Sequence, residues 1–152
     1  EFAALWIFSR AVPLLPLAAL REVASFLGGL AFVFDRHGRE VALGNLETVF
    51  GGEKSPEEIR RIAKDSYRQF GRTVLELFWA KNFTPENYLD YMVLEGFERS
   101  RELCRKQGGG IFVCLHYGNF EWLSIAGSFE GMPGCIVTQQ FKTPLLGPVF
   151  DE

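Results

Sequence analysis

The spacing of apolar positions changes along this chain, and each change predicts a different element. Residues 2–34, which open FAALWIFSRAVPLLPLAAL, are apolar almost throughout but broken by charges and by Pro13 and Pro16, which interrupt or kink a helix there. The longest uncharged stretches, Ala11–Leu20 and Val23–Phe34, fall short of the roughly 20 residues that cross a bilayer. The small-residue cleavage pattern of a secretory signal is absent. Short apolar helices flanked by aromatic and basic residues predict a segment lying in the membrane interface. A buried helical hairpin in a larger core is the alternative.

Farther on, Val41, Leu43, Leu46, Val49 and Phe50 fit an amphipathic helix closed by Gly51 and Gly52. SPEE (55–58) is the clearest helix start: Ser55 caps, Pro56 takes the first helical position and Glu58 completes a capping box. Ile59, Ile62, Ala63, Phe70, Val74, Leu77 and Phe78 then recur at helical spacing to about Lys81. TPENYLD (84–90) predicts a short capped helix and YMVLEG (91–96) a strand. FERSRELCRKQ (97–107) predicts an amphipathic helix with Phe97 and Leu103 inward, ended by the glycines at 108–110. IFVCL (111–115) is an uninterrupted apolar run of strand length, as in a strand buried on both faces. FEWLSIAGSF (120–129) returns to helical spacing, and CIVTQ (135–139) reads as a further strand.

This order predicts an α/β fold, a mostly parallel sheet flanked by helices and preceded by apolar amino-terminal helices. Residues 1–50 form the expected membrane-associated helical segment. Residues 51–152 form the amino-terminal part of the α/β domain. The chain starts without Met and stops just after a strand-and-turn pattern, so the carboxyl-terminal half is expected to be missing and the fragment inactive alone.

A composition of 47% hydrophobic and 14% aromatic residues is enough for one domain with a core. The net charge of −3 excludes a global attraction to nucleic acid. Local charge tells more. Arg36, Arg39, Arg60, Arg61, Lys64, Arg68 and Arg72 crowd the first half, and those on the helix from residue 56 fall largely off its apolar stripe. Such a face is either simply solvated or a contact for anionic lipid or an acidic carrier protein. His37, in a basic turn, reads as a solvated residue. Cys104, Cys114 and Cys135 are odd in number without CxxC spacing, which points to free thiols in a reducing compartment. No metal or cofactor is expected, since HExxH and any tight ligand cluster are absent.

In parallel sheets, ligands sit at the carboxyl ends of strands, and His116 directly follows IFVCL. Gly118 permits a sharp turn, Asn119 can cap the next helix, and Glu121 falls in its first turn. A carboxylate holding one imidazole nitrogen orients the other to accept a proton. The helix amino end also favours developing negative charge. Spacing alone leaves the pair open between catalysis and chance. A nucleophile pair of Cys114 and His116 fails, because a thiol buried in a sheet has no activating charge. Trp79 and Trp122 could line an apolar pocket, with ordinary core positions as the simpler reading.

The motif HYGNFE (116–121) resembles the His-x4-Glu motif of the lipid A biosynthesis acyltransferases, the lauroyl and myristoyl transferases. EGFERSRELCRKQGGGIFVCLHYGNFEW resembles the stretch leading into that family's motif, and Arg39 with GNLETVFGG resembles its RNL…FP segment. The apolar start resembles the family's membrane-associated start, so the likeness covers nearly the whole chain. It implies a glycerolipid acyltransferase-like fold at the cytoplasmic face of the inner membrane. It also implies transfer of a fatty acyl chain from an acyl carrier protein thioester to a hydroxyl of a lipid A precursor or related glycolipid. His116 would be the general base and Glu121 would orient it, with Gly118 and Asn119 near the substrate. Two departures stand out: Gln139 where the family commonly has Arg, and Thr143 before Pro144 in place of Asn-Pro. On this resemblance Lys142 would be a substitute charge for the acceptor's phosphate. Those departures leave room for other acceptors, such as a phosphatidylinositol mannoside. The remaining alternatives are a non-catalytic membrane lipid-binding protein and a thioesterase-like hydrolase.

Overall fold

Proline, capping residues and glycine set the helix boundaries of this protein. The computed structural model describes residues 2–132 and 134–135. Its helices are α1 (Phe2–Ala11), α2 (Leu17–Phe34), α3 (Arg36–Phe50), α4 (Pro56–Trp79), α5 (Phe97–Gln107) and α6 (Glu121–Phe129). Single 3-10 turns occupy Val12–Leu14, Ala80–Asn82 and Tyr88–Asp90. Pro13 sits in the 3-10 turn after α1, and Pro16 holds the extended residue from which α2 starts. At the start of α4, Ser55 N donates to Glu58 Oε2 (2.9 Å) and Glu58 N donates to Ser55 Oγ (3.3 Å), the reciprocal pair of a capping box.

The chain divides into two units, one from Ile7 to Trp79 and one built mainly from Ala80 onward. In the first, α2 and α4 run antiparallel: Arg21 pairs with Glu76, Ser25 with Arg72, and Phe32 with Tyr67. Arg21 Nε lies 2.6 Å from the buried Glu76 carboxylate, so that charge is compensated within the helix pair. Leu20, Ala24 and Phe32 are buried on α2, with Ile59, Ala63, Leu75 and Phe78 on α4. Gly28 and Gly71 let the two backbones approach: a Cβ on Gly28 would lie 2.4 Å from Tyr67 O, and one on Gly71 would lie 2.7 Å from Ala24 O. Trp79 is a core residue, and its indole N–H donates to Leu15 O at 2.9 Å.

Asp35 alone separates α2 from α3 and caps the second helix, its Oδ1 accepting from Gly38 N (2.9 Å) and its Oδ2 from the Tyr67 hydroxyl (2.9 Å). Arg39 closes the corner by donating to Phe32 O and Val33 O, each at 2.7 Å, the last carbonyls of α2. Bonds from Gly38 and Tyr67 hold the Asp35 carboxyl below its ordinary value of 3.8. A carboxyl lowered on folding stabilises the fold above its unfolded value and stops doing so as pH falls through the folded one. Asp35→Ala is therefore expected to melt roughly 2–4 °C below wild type at neutral pH. The gap narrows as pH falls below 3.8. Thermal melting across that range checks both parts.

The second unit contains the main correction. The parallel-sheet expectation fails, because no strand occurs among the described residues. Residues 111–117 are irregular, with Ile111 96% and Val113 91% exposed, and Val93 in the other predicted strand is 84% exposed. A strand needs a neighbour to pair its N–H and C=O groups, and here the flanking elements are helices α5 and α6. Apart from Cys135, the predicted strand at 135–139 lies outside the described residues. Residues 84–90 make a turn leading into the single 3-10 turn Tyr88–Asp90 in place of a helix; Thr84 N donates to Asn87 Oδ1 at 2.8 Å, but no side chain caps the 3-10 turn. Gly108, at φ +73°, ends α5 as expected of a left-handed cap, but Leu103 is half exposed and not inward.

Candidate active site

His116 sits near the end of the irregular segment, two residues before the expected turn at Gly118. Gly118 adopts φ +61°, a left-handed conformation natural to glycine, and carries the chain round to α6. Trp122 N donates to Asn119 O (3.3 Å) and Leu123 N to Phe120 O (3.1 Å), which starts the helix. Asn119 does not cap it with its side chain: Phe120 occupies the cap position, and no side-chain cap bond forms. Its backbone carbonyl accepts the first of these bonds. Glu121 is half buried in the first turn, where a carboxylate opposes the positive end of the helix.

The turn stands on a buried aromatic base. Trp122 is 7% exposed and meets Phe83 edge to face at 4.7 Å between ring centroids, and Ala126 one turn on is fully buried. Trp122 thus belongs to the core. Phe97 of α5 lies beside Gly127, where even an added Cβ would find its ring at 3.7 Å. Past the end of α6, the Glu130 carboxylate accepts from the Tyr88 hydroxyl and from Arg101 Nη1 (2.9 Å). The neighbouring carboxylate raises the Tyr88 hydroxyl above its usual range. The sequence hid this cluster, because 42 and 29 residues separate its members and no local pattern reports such pairs. Glu130→Ala is expected to cost about 1–2 kcal/mol in denaturant unfolding, since it strands a guanidinium and a hydroxyl together.

The imidazole of His116 is exposed and stacks on Phe120, with ring centroids 4.3 Å apart and planes 5° from parallel. No hydrogen bond joins it to Glu121. The motif thus places a solvent-facing base and a carboxylate on the two sides of one glycine turn, with the imidazole resting on an aromatic ring. Cys114, expected to be buried, is exposed, and its thiol turns to the adjacent Leu115 O at 3.5 Å. Lys142, Gln139, Thr143 and Pro144 lie outside the described residues. Among the described residues no group of three His, Cys, Asp or Glu side chains could hold a metal ion.

Residues 2–142 match the family model described as bacterial lipid A biosynthesis acyltransferase, a span that holds all of α1 to α6 and the His116 turn. No curated protein and no solved structure matches the chain.

Proposed function

The chain belongs to the bacterial lipid A biosynthesis acyltransferase family, and from that membership we propose that it moves a fatty acyl chain from an acyl carrier protein thioester to a hydroxyl of a lipid A precursor or related glycolipid. The observation carrying this reading is the HYGNFE turn, with an exposed imidazole before Gly118 and a helix-start carboxylate after it. His116 takes the proton of the acceptor hydroxyl as its oxygen attacks the thioester carbonyl carbon. The tetrahedral oxyanion then collapses, the C–S bond breaks, and the imidazolium returns the proton to the departing thiolate. Ester and free thiol are the products.

In this scheme Glu121 is the positioning residue. It accepts from one imidazole nitrogen, fixes the tautomer and stabilises the imidazolium. To meet it the ring leaves Phe120, a tightening ordinary between a free and a substrate-bound site. Backbone N–H groups at Gly118 and Asn119 are the oxyanion donors of the proposal, and Lys142 takes the acceptor's phosphate. The family is membrane-associated. The proposed location is the cytoplasmic face of the inner membrane, where a soluble carrier protein can deliver its thioester.

The test is to incubate the full-length protein with acyl carrier protein thioester and a lipid A precursor, following lipid mass and free thiol together. One ester per thiol is the expected result. Thiol release with free fatty acid and no ester would replace the transferase with a hydrolase. Transfer to a phosphatidylinositol mannoside alone would keep the chemistry and change the acceptor.

A further inference from the structure

Helix α2 is long and apolar enough to cross a membrane by length and composition, and only 22% of it is buried. Its outer side carries Val23, Phe26, Leu27, Leu30, Val33 and Phe34, which are 37–79% exposed. At 100° per residue these six fall within an arc of about 120°, opposite the side that buries Leu20, Ala24, Gly28 and Phe32. This is an unbroken apolar face on the outside of the first unit, larger than chance exposure of single residues explains.

What lies beside it decides how it is used. Arg60, Lys64, Arg68 and Arg72 recur every fourth residue along α4, forming one ridge. Arg72 Nε donates to Ser25 Oγ at 2.6 Å, a Cβ on Gly29 would sit 3.6 Å from Arg68 Nε, and Arg60 lies 5.2 Å over the Phe32 ring. The ridge therefore follows α2 from Ser25 to Phe32 along one flank of the apolar arc. Asp65 offsets Arg68 at 3.1 Å, Glu76 offsets Arg21, and Glu22 borders the same flank. Among the described residues, no carboxylate lies within ion-pair distance of Arg60, Lys64 or Arg72.

A helix that spanned the bilayer would carry these guanidinium groups into the hydrocarbon at successive depths, because α4 packs along it. A helix lying flat sinks its apolar arc below the headgroups and leaves the flanking cations level with phosphate, their stems lying along the interface. We propose that α2 docks in the plane of the membrane through this arc, and that the Arg60–Lys64–Arg68–Arg72 ridge of α4 selects anionic phospholipid. The inference rests on the membrane-associated character of the family but not on the reaction proposed above.

Full-length protein added to preformed vesicles tests it by flotation. Wild type is expected to bind vesicles of phosphatidylglycerol and phosphatidylcholine at least tenfold more tightly than phosphatidylcholine alone, with the preference lost in high salt. Phe26→Asp with Val33→Asp, both at exposed positions, removes binding to both. Lys64→Glu with Arg68→Glu removes only the preference. Melting curves like wild type show that the variants fold. Binding indifferent to lipid charge and salt, or unchanged in the Phe26→Asp/Val33→Asp protein, overturns the proposal. So does a lipid-free dimer that this double variant dissociates, since a second copy would then cover the face. Absence of acyl transfer in detergent from wild type and both double variants alike would remove the reaction and leave the docking surface standing on its vesicle pattern.

Discussion

His116→Ala is expected to lower kcat for acyl transfer by about 10²–10⁴, the usual worth of a positioned general base, with KM little changed. The imidazole is exposed and rests on the Phe120 ring, so its loss leaves no buried cavity and the melting temperature should stay at the wild-type value. Glu121 separates a catalytic from a merely structural turn. Glu121→Gln keeps an acceptor for the imidazole N–H but no charge to stabilise the imidazolium. It should fall between wild type and Glu121→Ala in kcat. Equal losses in the two Glu121 variants would make the charge the whole effect. Wild-type rates in both would remove Glu121 from the mechanism. A lower melting temperature tracking the activity loss would mark the turn as architecture.

The largest effect on stability is expected at Gly28. A Cβ there would come within 2.4 Å of Tyr67 O and 2.7 Å of Arg68 Cα, both backbone atoms that cannot swing aside. Gly28→Ala forces α2 and α4 apart and loosens the Arg72–Ser25 and Arg21–Glu76 bonds, both toward the start of α2 from the close contact. Overpacking of this kind costs about 3 kcal/mol, or roughly 6–12 °C in melting temperature for a chain of this size. Its neighbour gives the opposite sign. A Cβ on Gly29 meets only the flexible Arg68 side chain, at 3.6 Å, so Gly29→Ala gains the helix propensity of alanine, up to about 1 kcal/mol. A Gly28→Ala protein that melts with wild type would show that the helix pair is looser than its glycines imply.

What the sequence disclosed was local. The capping box at Ser55 and Glu58, the prolines after α1 and the glycine ending α5 each act within about four residues, and each is where its pattern placed it. Asp35, three residues before Gly38, is a legible cap too, but it stands outside the apolar pattern of the helix, which starts only at Val41. The strand at 111–115 failed for a different reason. An apolar run of five residues has no period of its own, and it becomes a strand only if another strand pairs with it. Non-local contacts left no trace in the pattern: Gly28 against α4, Glu76 with Arg21, and Glu130 with Tyr88 join residues many turns apart. The candidate pair was readable because His116 and Glu121 are five residues apart. Phe120, on which the imidazole rests, looked like one more apolar helix position.

The most direct measurement is the mass of the lipid product from wild-type and His116→Ala full-length protein, given the same acyl carrier protein thioester and lipid A precursor. Wild type should add one fatty acyl ester per thiol released, and His116→Ala should add about 10²–10⁴ times less in the same time. Equal ester from the two proteins would contradict the account at its centre and leave HYGNFE as a turn that only holds the chain.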